Sequence, residues 1–217
     1  MILATAPRFL VVLDVDSTLI QDEVIELLAD AAGSRDLVAD VTERAMLGEL
    51  DFAQSLRERV LTLAGLPESI FAEVGSRIRP TAGVHELIAG IHDGGGVVGA
   101  VSGGFHEILD SLAADLGLDH WRANRLEVEA GRLTGRVLGP IIDAAAKAVA
   151  LREWAAQDQI ALSQTVAVGD GANDLRMMEA AGLSVAFNAK PRVKREADLV
   201  IDHCNLSQVL PLLGLRG

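Results

Sequence analysis

The run Phe9-Leu10-Val11-Val12-Leu13 is wholly apolar and stops abruptly at Asp14-Val15-Asp16-Ser17-Thr18. A strand with one wet face alternates apolar and polar residues. A strand that is apolar throughout is covered on both faces, as in a parallel sheet. The pattern recurs: Val97-Val98-Gly99-Ala100-Val101 ends at Ser102-Gly103-Gly104, and Thr165-Val166-Ala167-Val168 ends at Gly169-Asp170-Gly171. Leu183 to Phe187 and Asp198 to Ile201 complete the set. Between them, apolar residues repeat at helical spacing: Val84, Leu87, Ile88 and Ile91; Ile108, Leu109, Leu112 and Leu116; then 144–154 and 175–181. Strands alternating with helices predict an α/β fold built on a parallel sheet.

Two segments depart from this alternation. Leu126 to Glu129 and Leu133 to Val137, joined through Ala130-Gly131, read as a hairpin beside the sheet. Residues 19–79 carry helical periodicity only, in Val24-Leu27-Leu28, Leu37-Val41, Phe52-Leu56-Val60-Leu63 and Ile70-Val74. They read as a helical subdomain inserted after the first strand, with residues 1–18 and 80–217 forming the core.

Charge and composition narrow the function. Asp plus Glu number 31 against 19 Lys plus Arg, a formal charge of −12, with 3% aromatics and no Tyr. Such a chain lacks the basic surface and stacking rings that nucleic acids require, and is repelled by anionic membranes. A single cysteine, Cys204, excludes a disulfide framework and fits a reducing, cytoplasmic setting. The run at residues 9–13 is too short for a signal peptide, and no run is long enough to span a bilayer. The five histidines show no metal-ligand spacing.

Ligands of parallel α/β sheets bind beyond the carboxyl ends of the strands. Asp14–Thr18, Ser102–Gly104 and Gly169–Asp174 all lie at such ends, so one rim gathers them. Asp14 and Asp16 lie two residues apart in an extended segment and point the same way. Two carboxylates in one space repel unless a cation or a proton intervenes. One can then act as a nucleophile and the other hold a proton for a leaving group. Asp14 and Asp170, with a nearby carbonyl, suit a hard cation such as Mg²⁺. The hydroxyl and backbone N–H groups of Ser102-Gly103-Gly104 would cradle an anion where a strand passes into a helix. Lys147 is the only lysine before Phe187 and balances charge beside the carboxylates. Two further patterns are decoys. Gly94-x-Gly96-x-x-Gly99 precedes a strand rather than following one, so it is not a dinucleotide site, and Asn205-Leu206-Ser207 is a sequon without a secretory context.

These four ordered motifs resemble the haloacid dehalogenase superfamily, and within it the phosphoserine phosphatases. Gly139-Pro140-Ile141-Ile142-Asp143 and Ala186-Phe187-Asn188-Ala189-Lys190-Pro191 add to the likeness, which runs from about residue 9 to about 203. The resemblance implies a Rossmann-like core with a helical cap at 19–79. It makes Asp14 the nucleophile and Asp16 the general acid/base. It gives Mg²⁺ to Asp14, the backbone carbonyl of Asp16 and Asp170, with Asp174 supporting that site from behind. It assigns phosphate to Ser102, Gly103 and Lys147, with Asn173 nearby. The substrate, O-phosphoserine, would meet Glu23 through its ammonium and Arg59 through its carboxylate. Met46 and Phe52 would close the apolar side. The implied activity is Mg²⁺-dependent hydrolysis to serine and phosphate, the last step of serine biosynthesis. Many members carry a regulatory domain, for which 217 residues leave no room. Two other readings keep the same residues: transfer of the phosphoryl group to homoserine or hydrolysis of another small phosphorylated metabolite, and a phospho-accepting signalling domain.

Overall fold

The computed structural model describes residues 8–46 and 49–215, with the side chains of residues 45 and 46 left out. Strand β1 (Leu10–Leu13) sits at the centre of a seven-stranded sheet of order β4-β3-β2-β1-β5-β6-β7. The others are β2 (Val97–Phe105), β3 (His120–Glu129), β4 (Arg132–Leu138), β5 (Thr165–Gly169), β6 (Leu183–Phe187) and β7 (Leu199–Ile201). All pairings are parallel except β3 with β4. The apolar run at the N-terminus thus forms the strand expected of it: all four β1 residues are inaccessible to solvent. Their alternation splits the core. Val11 and Leu13 pack on one face, Leu10 and Val12 on the other. Each buried Leu or Val contributes roughly 1.5–3 kcal/mol relative to an exposed one.

The sheet is flanked by α5 (Val84–Asp93) and α6 (His106–Leu116) on the Val11 face, and by α7 (Ala144–Gln157), α8 (Leu175–Ala180) and α9 (Pro191–Glu196) on the Leu10 face. Successive strands run outward from β1 through β2 to β3, then resume on the other side of β1 with β5. That reversal opens a crevice beyond the carboxyl ends of β1, β2 and β5, where such sheets bind ligands.

Two expectations need correction. Residues 102–104 do not join a strand to a helix, because β2 continues through Phe105 and α6 starts only at His106. The hairpin does not lie beside the sheet. Its first strand begins at His120 and pairs with β2, so the hairpin is the sheet's edge.

Between Ile20 and Pro80, which form an isolated antiparallel bridge, the chain builds α1 (Val24–Ala32), α2 (Arg35–Met46), α3 (Phe52–Leu61) and α4 (Ile70–Gly75). Helix α3 starts at a capping box, in which Asp51 accepts from the Gln54 N–H and the Gln54 side chain accepts from the Asp51 N–H. The loop from α3 to α4 lies along β4 like a further strand. Gly65 N–H donates to Leu133 O (2.8 Å), Leu133 N–H to Leu66 O (2.9 Å) and Glu68 N–H to Gly131 O (2.9 Å). No helix among the described residues is long and apolar enough to cross a membrane.

Candidate active site

The chain leaves β1 through a wide turn. Leu19 N–H reaches back to Asp14 O (3.3 Å) and Ile20 N–H to Val15 O (3.0 Å), five residues rather than four. Wide turns of this kind are rare and concentrate at functional sites. Ser17 takes the left-handed conformation at φ 59°, which carries the chain away while both carboxylates stay at the strand end.

Asp14 is buried and pairs with Lys147 Nζ. Lys147 is wholly buried and also donates to Asp174 Oδ1 at 2.7 Å. It is placed by α7, whose first turn is capped where the Asp143 carboxylate accepts the Ala146 N–H at 2.9 Å. Asp174 is fixed from its other side by the Gly171 N–H (3.0 Å). It also ends the short turn that precedes α8.

Asp16 faces the other way. Its Oδ1 accepts the Val24 N–H (2.8 Å) and its Oδ2 the Ser102 hydroxyl (2.8 Å). Ser102 Oγ in turn accepts the Gly104 N–H at 2.7 Å. The glycines here are steric requirements. A Cβ on Gly104 would lie 2.8 Å from Asp16 Oδ2, and one on Gly103 would lie 2.9 Å from Phe52 Cζ. That close approach lets the α3 aromatic ring rest on the strand end.

Oxygens of Asp14, Asp170 and Asp174 all lie within 4.8 Å of one another. With Asp16 nearby, four carboxylates face one buried ammonium. The titration behaviour reflects that excess. Burial, then Asp174 and Asp16, push the Asp14 carboxyl well above its ordinary value, with Lys147 opposing them. Burial raises Asp16 as well, against the hydrogen bonds from Val24 and Ser102. Burial and the Asp174 charge lift Asp170 to about 6, against the pull of Lys190 and Lys147. Burial alone would lower the Lys147 ammonium, but Asp14 and Asp174 more than offset it and hold it above its usual range. Three converging carboxylates with surplus negative charge are a fitting donor set for a hard divalent cation.

Above this floor lies a cavity of about 440 Å³. Asp14, Asp16, Gly103, Asp170 and Asn173 line its base, and Glu23, Phe52 and Arg59 its walls. Ser102 and Lys147 lie beneath the lining, each spent on a carboxylate. Withdrawal from bulk water, then the Asp16 charge, lift Glu23 to about 7, despite the Ser17 hydroxyl donating to it at 2.7 Å. Burial lowers the Arg59 guanidinium, while Glu23 and Asp16 draw it back up. The Met46 side chain falls outside the described residues.

Sequence reasoning missed several neighbours. Glu26 and Thr42 also line the cavity and belong to no local pattern that marks them out, and Lys190 lines it from the 186–191 segment, which had been given no role at the site. Asn124 is almost fully buried. It donates to Gly103 O (2.8 Å) and accepts the Ile142 N–H (2.9 Å), tying the end of β2 to the segment entering α7.

A family model for haloacid dehalogenase-like hydrolases matches residues 11–179. The phosphoserine phosphatase of Streptococcus thermophilus is 52% identical over 208 residues, which cover 96% of this chain and 97% of that protein. The chain belongs to the phosphoserine phosphatase family of haloacid dehalogenase-like hydrolases. It is therefore a hydrolase of that family. The phosphoserine phosphatase of Streptomyces coelicolor is 56% identical over 206 residues, covering 95% of this chain but 50% of that longer protein. Among solved structures, a phospho-aspartyl intermediate analogue of phosphoserine phosphatase superposes with a TM-score of 0.89 at 42% identity, covering 95% of this chain and 99% of the other. A substrate-bound phosphoserine phosphatase gives the same TM-score and identity, covering 95% and 98%.

Proposed function

We propose that this hydrolase cleaves O-phosphoserine in the cytoplasm, with Asp14 as nucleophile and Asp16 as general acid/base. The observation that carries the reading is the pairing of opposite charges on the cavity walls. Glu23 and Arg59 both face the carboxylate floor. A phosphorylated amino acid presents an ammonium and a carboxylate on one carbon, and those two groups meet that pair. Phe52 supplies the apolar side, and α1–α4 act as the cap over the cavity.

Asp14 attacks phosphorus in line with the seryl oxygen, and the phosphoryl group passes to its carboxylate. Asp16 gives its proton to the leaving oxygen, for which its raised pKa suits it. Asp16 then takes a proton from water as that water attacks the phosphoaspartate. Mg²⁺ held by Asp14, Asp170 and the backbone carbonyl of Asp16, with Asp174 behind them, would neutralise charge on the phosphoryl oxygens. Lys147 has three N–H donors and spends two on Asp14 and Asp174, leaving one for a phosphoryl oxygen. The Ser102 hydroxyl has a single proton, given to Asp16. It rotates to bind phosphate, leaving that Asp16 oxygen free to receive or hand on a proton. Gly103 and Asn173 complete the anion's surroundings. For a chain of net charge −12, the anionic substrate is held by this local cationic arrangement.

Arg59→Ala is expected to raise KM for O-phosphoserine by about 10–100-fold, the value of one charge-assisted hydrogen bond. KM for p-nitrophenyl phosphate, which has no carboxylate, should change less than about twofold by the same reasoning. Equal changes in both would rule out carboxylate recognition.

A second expectation concerns pH. Glu23 is neutral below about 7 and loses its attraction for an ammonium there. The ratio of kcat/KM for phosphoserine to that for p-nitrophenyl phosphate should therefore fall as pH drops through about 7. In Glu23→Gln the ratio should be flat across that range. A ratio that keeps its slope in the variant would assign the titration elsewhere.

A further inference from the structure

The chain passes into the α1–α4 helices through Leu19–Asp22 and returns through Arg79–Thr81, and these two segments are laced together. Gln21 N–H donates to Arg79 O (2.9 Å) and Thr81 N–H to Leu19 O (3.0 Å). Gln21 Nε2 adds a bond to Pro80 O at 3.2 Å. Across this ladder lies an ion pair that the chemistry above does not use. Asp22 Oδ1 accepts from Arg79 Nη2 (2.6 Å) and Nε (3.1 Å), and Oδ2 accepts the Arg79 backbone N–H (2.8 Å). The Asp22 side chain is 7% exposed and that of Arg79 66%. An exposed pair of separate charges is worth little, but here a nearly buried carboxylate is gripped by a two-pronged guanidinium and a backbone donor, which fixes geometry as well as charge.

Immediately after Asp22 the chain becomes the pocket wall. Glu23 accepts the Ser17 hydroxyl, and the Val24 N–H reaches Asp16 Oδ1. The Asp22 carbonyl also accepts the Ser17 N–H at 3.3 Å. Asp22 thus stands between the returning strand and two groups that address the substrate. We propose that Asp22 and Arg79 are positioning residues: their clasp sets the angle at which the chain enters α1, and so holds Glu23 in the pocket and the Val24 N–H on Asp16. The specificity half of this inference rests on Glu23 meeting the substrate ammonium. The clasp touches no substrate atom. It acts by preventing the 22–24 segment from sampling other directions, so losing it should cost affinity for an amine-bearing substrate before it costs chemistry.

The test uses Arg79→Ala, whose side chain is mostly in water, so the core is untouched. KM for O-phosphoserine is expected to rise by about tenfold while KM for p-nitrophenyl phosphate changes by less than about twofold. In a Glu23→Gln background, Arg79→Ala should raise KM for phosphoserine no further, because the group it positions is already disabled. An unchanged KM for phosphoserine, or effects of the two substitutions that multiply, would overturn the proposal and leave the clasp a purely structural bond. If Glu23→Gln by itself leaves KM unaltered, the phosphoserine reading is what fails. The clasp is then decided by hydrogen exchange at the Val24 amide. Faster exchange in Arg79→Ala at unchanged global stability upholds it, and unchanged exchange overturns it.

Discussion

Asp14→Asn should fold as well as the parent chain and lose at least ~10⁴ in kcat, the scale seen when a covalent nucleophile is removed. The amide keeps the size and shape of the carboxyl but cannot attack phosphorus, and two of the other floor carboxylates are already engaged elsewhere. Asp16 is turned toward Ser102 and Val24, and Asp174 is locked between Lys147 and Gly171. The fold has no need of the negative charge. Asp14 sits buried among like charges that push its carboxyl up, so neutralising it relieves repulsion, and Lys147 keeps Asp174 as a partner. Stability is expected to stay level or to rise, the usual exchange between stability and activity at a strained site. Steady-state assays with O-phosphoserine beside a thermal melt decide the matter. Residual activity above a few per cent would remove Asp14 from the nucleophile's role.

The second large effect is on stability. Lys147→Met keeps most of the buried stem and deletes the ammonium, which leaves Asp14 and Asp174 without their shared cation. Removing one partner of a buried ion pair typically costs about 3–5 kcal/mol, a large part of the 5–15 kcal/mol that holds an ordinary domain. The sign with pH is definite. Asp14 already titrates above its unfolded value, and without Lys147 it is raised further. The folded variant therefore binds more protons than the unfolded chain, and its stability falls as pH rises between those two values. The deficit against the parent chain should be larger at the higher of two assay pH values than at the lower, because acidification lets Asp14 take up its proton. Denaturant unfolding at both values measures it. A deficit below ~1 kcal/mol at the higher pH would mean that water or relaxation already screens the pair.

Much of the fold was legible because its signals are local. Continuous apolar runs mark strands covered on both faces, and the abrupt polar ends of β1 and β5 gave the rim. The first half of β3 was not legible. His120-Trp121-Arg122-Ala123-Asn124 looks like a loop because its apolar partner lies elsewhere in the chain. His120 stacks on Trp154 with ring centres 5.4 Å apart, Arg122 lies 5.6 Å over the same ring, and Glu153 pairs with Arg122 at 2.7 Å. Residues 102–104 hid the end of β2 for a different reason. Two glycines and a serine carry no strand propensity, and the register against β3 shifts between Val101 and Phe105. The carboxylates of the floor could be foreseen because chain direction gathers them. Asn124 could not, since its two backbone partners lie 21 and 18 residues away, and neither segment betrays the bond.

The loop at residues 65–68 has a consequence beyond the pocket. A sheet's outermost strand presents unpaired N–H and C=O groups that can recruit a strand from another molecule. At one border β7 is only three residues long, too short to template much. At the other, β4 is seven residues long and would be an inviting seam. The backbone of 65–68 occupies part of that seam, and Arg132 Nη1 closes it further on Gly65 O at 2.7 Å. The 65–68 loop thus leaves less of that edge open to a strand from another molecule. Sequence changes that loosen the α3–α4 loop would show first as a loss of colloidal solubility, while the carboxylate floor, on the far side of β2, remained intact.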